Sequence, residues 1–323
     1  LCFAVWVLRG LFVARRERRS KRGAVSSLDG AVFFFTAAGA FSLLIAENLG
    51  VALREFRVVV FEPALFYLLL RSGSSREQFW RVMDALVLAA TVVALIGLYQ
   101  YIFTTEVIVA EGVRRVRGLY SSPNNLSLFL DRVVPILATV ALFARQSRRR
   151  LAYGLCSLPV LFCLYLTYSR GAWLLGLPAA ALFIGFLRGK KALWISLALI
   201  GVIALSLLPW VGTERFASLF HTQNGTTFFR LKLWQSSLNM IKGHPFLGVG
   251  LDNFLYQYRT RYVLPEAWQE LDLSHPHNIV LDYWTRLGIP GIVALVWLEG
   301  AFFVRGLRLY RCLLYTSPSP RDS

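Results

Sequence analysis

Charge is scarce in this chain. Only 16% of its 323 residues are Asp, Glu, Lys or Arg, 56% are hydrophobic, and the mean hydropathy is +0.53. A water-soluble domain of this size carries about 25% charge, so that class is excluded. Apolar–polar alternation is missing as well. The apolar residues come in solid blocks, which excludes a spanning β-barrel. Cysteine is sparse: Cys2, Cys156, Cys163 and Cys312 show neither metal-ligand spacing nor a disulfide framework, and read as small packing residues. Acidic residues inside apolar runs are few, chiefly Asp131, Asp282 and Glu299, with Glu62 and Asp84 near run ends. That is a thin supply for a proton relay. No matched pair of interrupted spans marks the two halves, as an alternating-access transporter would have.

What is present is a series of apolar runs, many of about 17–22 residues, each able to cross the ~30 Å hydrocarbon core as a helix. The fold class is therefore all-α, a polytopic transmembrane helical protein. About nine spans are expected, near 1–14, 28–46, 58–70, 82–103, 126–144, 151–168, 171–187, 192–211 and 279–304. The formal charge is +17, which in a soluble protein would point to nucleic acid. Here most of the basic residues lie in RRERRSKR (15–22), RSGSSREQFWR (71–81), RQSRRR (145–150), RGKK (188–191) and RGLRLYR (305–311). These clusters fall on alternate connections, as the positive-inside rule requires of cytoplasmic loops. The partner they imply is membrane lipid, not nucleic acid. The remaining connections face outward, the largest being 212–278, far longer than an ordinary loop. Its aromatic and aliphatic content predicts that it is folded against the membrane. One multi-span membrane domain is expected over 1–311. The start at Leu1, inside an apolar run and without methionine, is expected of a fragment. The tail CLLYTSPSPRDS (312–323) changes character abruptly and is expected to be non-native.

Three outward segments carry more than linker chemistry. In EGVRRVRGLYSSPNNLSLFL (111–130), Arg114, Arg115 and Arg117 lie on the side where positive charge is disfavoured, and Ser-Ser-Pro-Asn-Asn reads as a turn and helix N-cap. In TYSRGAWLL (167–175), Arg170 and Gly171 are expected to form a tight turn between spans. The loop 212–278 holds Arg215, Arg230 and all four histidines. Arginine offers a fixed fork of donors suited to phosphate, and a neutral histidine can take a proton from a hydroxyl at neutral pH. Arginines at an outer interface also simply snorkel to headgroups. His277 begins HNIVLDYWTRLGIPG (277–291). Pro276 fixes the approach of the chain, Asn278 is placed to orient the ring, and Gly288, Pro290 and Gly291 are expected to bend the following helix. Arg286 is expected to pair with Asp282 one turn back, and His244 to be a turn residue. Gly248 and Gly250 do not have phosphate-loop spacing, and no strand precedes them. His275 and His277 lack the further ligands a metal site needs.

These residues resemble a known family. HNIVLDYWTRLGIPG fits the pattern His-[Asn/Ser/Gln]-nine residues-Gly-two residues-Gly of the O-antigen ligase and polymerase superfamily. FFRLKLWQSSLNMIKGHPFLGVGLDNF (228–254) is similar to that family's Arg-x-x-x-Trp and His-Pro-x-x-Gly-x-Gly segment. TYSRGAWLL and RGLYSSPNNL resemble its Ser-Arg-Gly and Ser-Pro-Asn segments, in the family's order. The resemblance implies a GT-C-type transferase with one large extracytoplasmic loop. Such an enzyme moves a glycan from undecaprenyl diphosphate to an acceptor hydroxyl at the outer face of the bacterial inner membrane, without nucleotide sugar, metal or other cofactor. The acceptor is a glycan, lipid or protein. It also implies that His277 is base or positioner of that hydroxyl, that Arg230 meets the donor diphosphate with Arg215 as a second contact, and that Arg170, Arg117 and Asn278 are further substrate-binding residues. A polymerase of the same superfamily differs only in its acceptor. A transporter of lipid-linked glycans and a non-catalytic scaffold are the competing classes.

Overall fold

The computed structural model describes residues 25–73, 75–110, 112–206, 208–211 and 225–316, and it is mostly helical. In chain order the elements are α1 (Ser27–Ser42), α2 (Leu49–Glu55), a π-helical stretch Phe56–Phe61, α3 (Glu62–Gly73) and α4 (Arg76–Phe103). A small ribbon of β1 (Ile108–Ala110) and β2 (Val113–Arg115) follows, then α5 (Pro123–Phe143), α6 (Ser147–Leu166), a π turn Ala172–Gly176, α7 (Leu177–Arg188), α8 (Lys190–Ser206) and α9 (Leu208–Val211). The last part comprises α10 (Gly225–Gly243), α11 (Phe254–Gln257), a π turn Tyr258–Tyr262 and the long α12 (Ile279–Thr316). The antiparallel ribbon pairs Ile108 with Arg115 and Ala110 with Val113.

By length and composition α4, α5, α6 and Ile279–Cys312 of α12 can each cross a membrane. These are the expected spans at 82–103, 126–144, 151–168 and 279–304. Ser27–Ser42 and Ala172–Arg188 are shorter apolar helices. The expected spans at 58–70 and 192–211 fall on helical segments, and the one at 1–14 lies outside the described residues.

Contacts divide the chain into two compact units, one within Ser75–His221 and one combining Leu1–Ser74 with Thr222–Ser323. In the first, Ser75 caps α4 in a capping box, and Ser122 with Pro123 starts α5. The core is apolar: Ala90, Ala94, Leu126, Leu130, Leu137, Val160 and Leu164 are fully buried. Gly97 makes room for the ribbon. A Cβ there would lie 2.8 Å from Val116 and 3.1 Å from the Cys163 sulfur. At one end Asp84 accepts from Tyr153 Oη at 2.6 Å and pairs with Arg149 at 3.1 Å, and that guanidinium stacks 4.1 Å from the Trp80 ring centroid.

In the second unit α1 packs along α12. Asp29, closing a capping box with Ser26, also accepts from Tyr67 Oη at 2.6 Å and pairs with Arg71 at 2.6 Å, tying α1 to α3. The element on which this unit turns is a break in α12. Gly288 has φ 64° and ψ −149°, outside the helical region, and Pro290 has no N–H to continue the ladder. The carbonyls freed at such a break need partners when shielded from water. The segment 244–250 supplies them. Val249 N donates to Thr285 O at 2.8 Å, Gly250 N to Arg286 O at 3.1 Å, and Ile289 N to Phe246 O at 3.2 Å. Trp284 Nε1 adds a bond to Pro245 O at 3.1 Å. Gly248 (φ 69°) and Gly250 (φ 90°) allow the loop to turn and approach backbone to backbone. The glycines of His-Pro-x-x-Gly-x-Gly thus serve the fit against the helix break. Leu251 and Leu287 then bury together with Ala52 and Val60.

A Cβ at Gly288 would overlap the Phe246 carbonyl, and a side chain at its φ costs about 1–3 kcal/mol. Gly288→Ala is therefore expected to lower stability by about 2 kcal/mol or more. Gly306→Ala, with nothing within 4 Å, is expected to leave it unchanged. Thermal unfolding of the two variants in one detergent checks this.

Candidate functional site

The candidate site lies where α10 meets the start of α12. Arg230 and Trp234 are four apart on α10 and so share one face. Trp234 Nε1 donates to Pro276 O at 2.9 Å. With that indole pinned beside residue 276, Arg230 sits one turn away and close enough for its charge to act on His277. The Arg-x-x-x-Trp spacing thereby acquires a physical reason. Among the described residues, Lys232, Arg259 and Arg261 pair with Glu266, Asp272 and Glu47, whereas no carboxylate pairs with Arg230. Its guanidinium is exposed and available to an anion.

His277 stands just before the helix, with φ 53°. This left-handed conformation is uncommon outside glycine and clusters at functional positions. Asn278 is the helix cap: its Oδ1 accepts from Val280 N at 3.0 Å and Leu281 N at 3.3 Å. That oxygen is committed to the backbone, where the sequence reading had the side chain orienting the ring. The neighbour of the His277 ring is instead His275, at 4.2 Å between centroids and 66° between planes. His277 keeps an open outer surface, but its inner side is shielded. That burial, together with the fields of His275 and Arg230, pushes its pKa down to about 4 against an opposing pull from Asp282. Burial and Arg286 also lower His275, with Glu55 opposing. At neutral pH both rings are therefore unprotonated.

Beneath them lies an ion cluster. Arg286, its side chain 13% exposed, pairs with Glu55 at 2.7 Å and with Asp282 at 2.8 Å. The Asp282 pair was expected from helix spacing; the Glu55 pair comes from α2 and carries no local signal. Asp252 (φ 52°) lies in the same field, its pKa raised by burial and by Glu55 and held back by Arg286 and Arg54.

The other arginines expected to contact the substrate are Arg215, Arg117 and Arg170. Arg215 is outside the described residues. Arg117 and Arg170 belong to the Ser75–His221 unit, both half-buried. The turn before Arg170 is Thr167–Tyr168, and Arg170 itself opens the next helical stretch. Arg115 is the organiser there: 5% exposed, it donates from Nε to Thr167 O at 2.8 Å and from Nη2 to Asn124 Oδ1 at 2.7 Å. It binds the Arg-rich, Ser-Pro-Asn and Ser-Arg-Gly segments together. Among the described residues the non-glycine positions with positive φ are Tyr168, Asp252 and His277, each inside one of the motif segments.

Residues 155–296 match the family model described as O-antigen ligase. Over those residues the chain is similar to the O-antigen ligase superfamily. It is 25% identical over 268 residues to the O-antigen ligase of Salmonella typhimurium strain LT2, covering 81% of this chain and 66% of that protein. It is 33% identical over 156 residues to the O-antigen ligase of Pseudomonas aeruginosa, covering 47% and 34%. An uncharacterised protein of Haemophilus influenzae is 27% identical over 180 residues, covering 50% and 45%. The chain thus spans 66% or less of the length of these relatives. The O-antigen ligase match includes His277, Arg230 and Arg286 but ends short of Glu55 and Arg117.

Removing Glu55 takes one of two carboxylates from a largely shielded guanidinium and leaves Asp282 as its partner, at a cost of about 1–3 kcal/mol. Glu55→Ala is expected to destabilise the protein on that scale, whereas Glu62→Ala, whose Arg57 pair is exposed, is expected to cost less than about 1 kcal/mol. Denaturation midpoints of the two variants decide it. The histidine pair also predicts a pH effect. Between its ordinary 6.5 and about 4, His277 is protonated in the unfolded chain and not in the folded one. Stability is expected to fall as pH drops through that window, and His277→Gln to flatten this part of the curve, measured as thermal midpoint against pH.

Proposed function

We propose that this membrane protein is a glycosyltransferase that moves a glycan from undecaprenyl diphosphate to an acceptor hydroxyl at the outer face of the bacterial inner membrane. The observation that carries the reading is Arg230, exposed and without a carboxylate partner among the described residues, beside an unprotonated His277. In the reaction, the acceptor oxygen bonds to the anomeric carbon of the donor sugar as the bond from that carbon to the diphosphate oxygen breaks. The hydroxyl proton passes to His277, and the electron pair leaves on the diphosphate, where Arg230 stabilises the charge. Diphosphate is already a good leaving group, so a cation substitutes for a general acid. A diphosphate at Arg230 also cancels part of the positive field on His277, so the ring becomes more basic as the donor binds. The alternation of basic connections supports an outward-facing site. The family resemblance implies Arg215 as a second donor contact and Arg170 and Arg117 as further substrate-binding candidates, and the same assay tests each.

The chain in lipid nanodiscs, given an undecaprenyl-diphosphate oligosaccharide and acceptors, is expected to release the lipid diphosphate. His277→Ala and Arg230→Ala, matched to the parent in folded yield, are expected to lose at least about 100-fold. Addition of a single glycan block marks a ligase, and a ladder of products marks a polymerase. Equal rates in all three proteins would refute the assignment and favour transport.

A further inference from the structure

His275 has no role in that scheme, yet the structure builds it into the site. Its Nδ1 lies 3.1 Å from Ser274 Oγ, which sets the ring's rotation. Pro276, buried, stiffens the link to His277, and the Trp234 indole clamps the Pro276 carbonyl at 2.9 Å. The left-handed backbone at His277 brings the two rings edge to face at 4.2 Å. Their exposures differ: His277 is open while His275 is half-buried against it. One ring is free to meet a substrate, and the other backs it.

We propose that His275 is a positioning residue for His277, its imidazole packed edge-on against the His277 ring so that the open ring alone meets the acceptor hydroxyl. This rests on the transferase reading above. The pairing has two effects. It restricts the His277 ring to few orientations, which favours proton transfer along one direction. It also sets a chargeable neighbour beside that ring, and two imidazolium groups in contact repel. The charged groups acting on the pair are Arg230 and Asp282 on His277, and Arg286 and Glu55 on His275.

The test compares His275→Ala, which removes the ring, with His275→Phe, which keeps a ring that cannot be charged. Lipid-diphosphate release is followed in nanodiscs from about pH 4 to 8. His275→Ala is expected to lower kcat by roughly 10- to 100-fold with KM within about twofold of the parent. His275→Phe is expected to recover kcat to within about threefold and to shift the acid limb of the profile to higher pH. His275→Ala within about twofold of the parent throughout, or His275→Phe as slow as His275→Ala with an unmoved acid limb, overturns the proposal. Imidazole 15N shifts of His277, titrated without substrate, provide a separate reading. The parent midpoint near about 4 is expected to rise in His275→Phe, and an unchanged midpoint refutes the pairing. If the parent releases no lipid diphosphate, the transferase reading falls, while this titration still decides whether the rings act as a pair.

Discussion

The hydrogen bonding of the interrupted α12 is the constraint from which the rest of the second unit follows. A helix entering a membrane cannot leave carbonyls unpaired, and Gly288 with Pro290 leaves them so. The 244–250 loop takes up Thr285 O and Arg286 O and lends Phe246 O to Ile289 N. That stitching joins two sequence motifs into one object and holds α10, which precedes the loop, near the first turn of α12. The Arg230 charge acts on His277 as a consequence. Two tryptophan indoles repeat one device, Trp284 on the Pro245 carbonyl and Trp234 on the Pro276 carbonyl. Each pins a segment that proline has already stiffened.

Electrostatics divides the site into a working surface and a foundation. Asp282 lies in the first turn after His277 and would favour a protonated ring. Arg286 pairs with that carboxylate, and Glu55 holds the other side of the guanidinium. With the acid engaged, burial and the cations prevail and the ring stays unprotonated. A largely shielded pair of this kind contributes less to net stability than to arrangement. Here it fixes which charge His277 experiences.

The same economy of roles appears in the Ser75–His221 unit. Three arginines of one segment look alike in sequence, yet Arg115 is sunk among the carbonyl of Thr167 and the amide of Asn124. Its guanidinium joins segments far apart in the chain, and Tyr168 takes a strained φ beside them. Arginine chemistry that serves phosphate serves backbone carbonyls equally well, so residue type alone cannot separate the two uses.

Local patterns were sufficient for a good deal. Apolar run length marked α4, α5, α6 and α12, because a helix must match the bilayer in length. Glycine and proline at 288–291 announced the break, helix periodicity paired Arg286 with Asp282, and the motif spacing carried the resemblance to the superfamily. The Ser122 cap and the His244 turn were legible for the same local reason. Other features depended on residues distant in sequence. Glu55 reaches Arg286 across 231 positions, with nothing around it to distinguish it from a surface acid. Asn278 could be read as a ring partner until the geometry of the first turn assigned it to the backbone. That the His275 ring packs against the His277 ring goes with one left-handed φ at His277, a conformation the sequence does not announce. By itself the sequence determined the membrane class and the helix break, since each rests on short-range backbone chemistry, and its motif spacing carried the family resemblance. Only the tertiary structure decided which charges and rings face His277, because fields and contacts depend on distance in space.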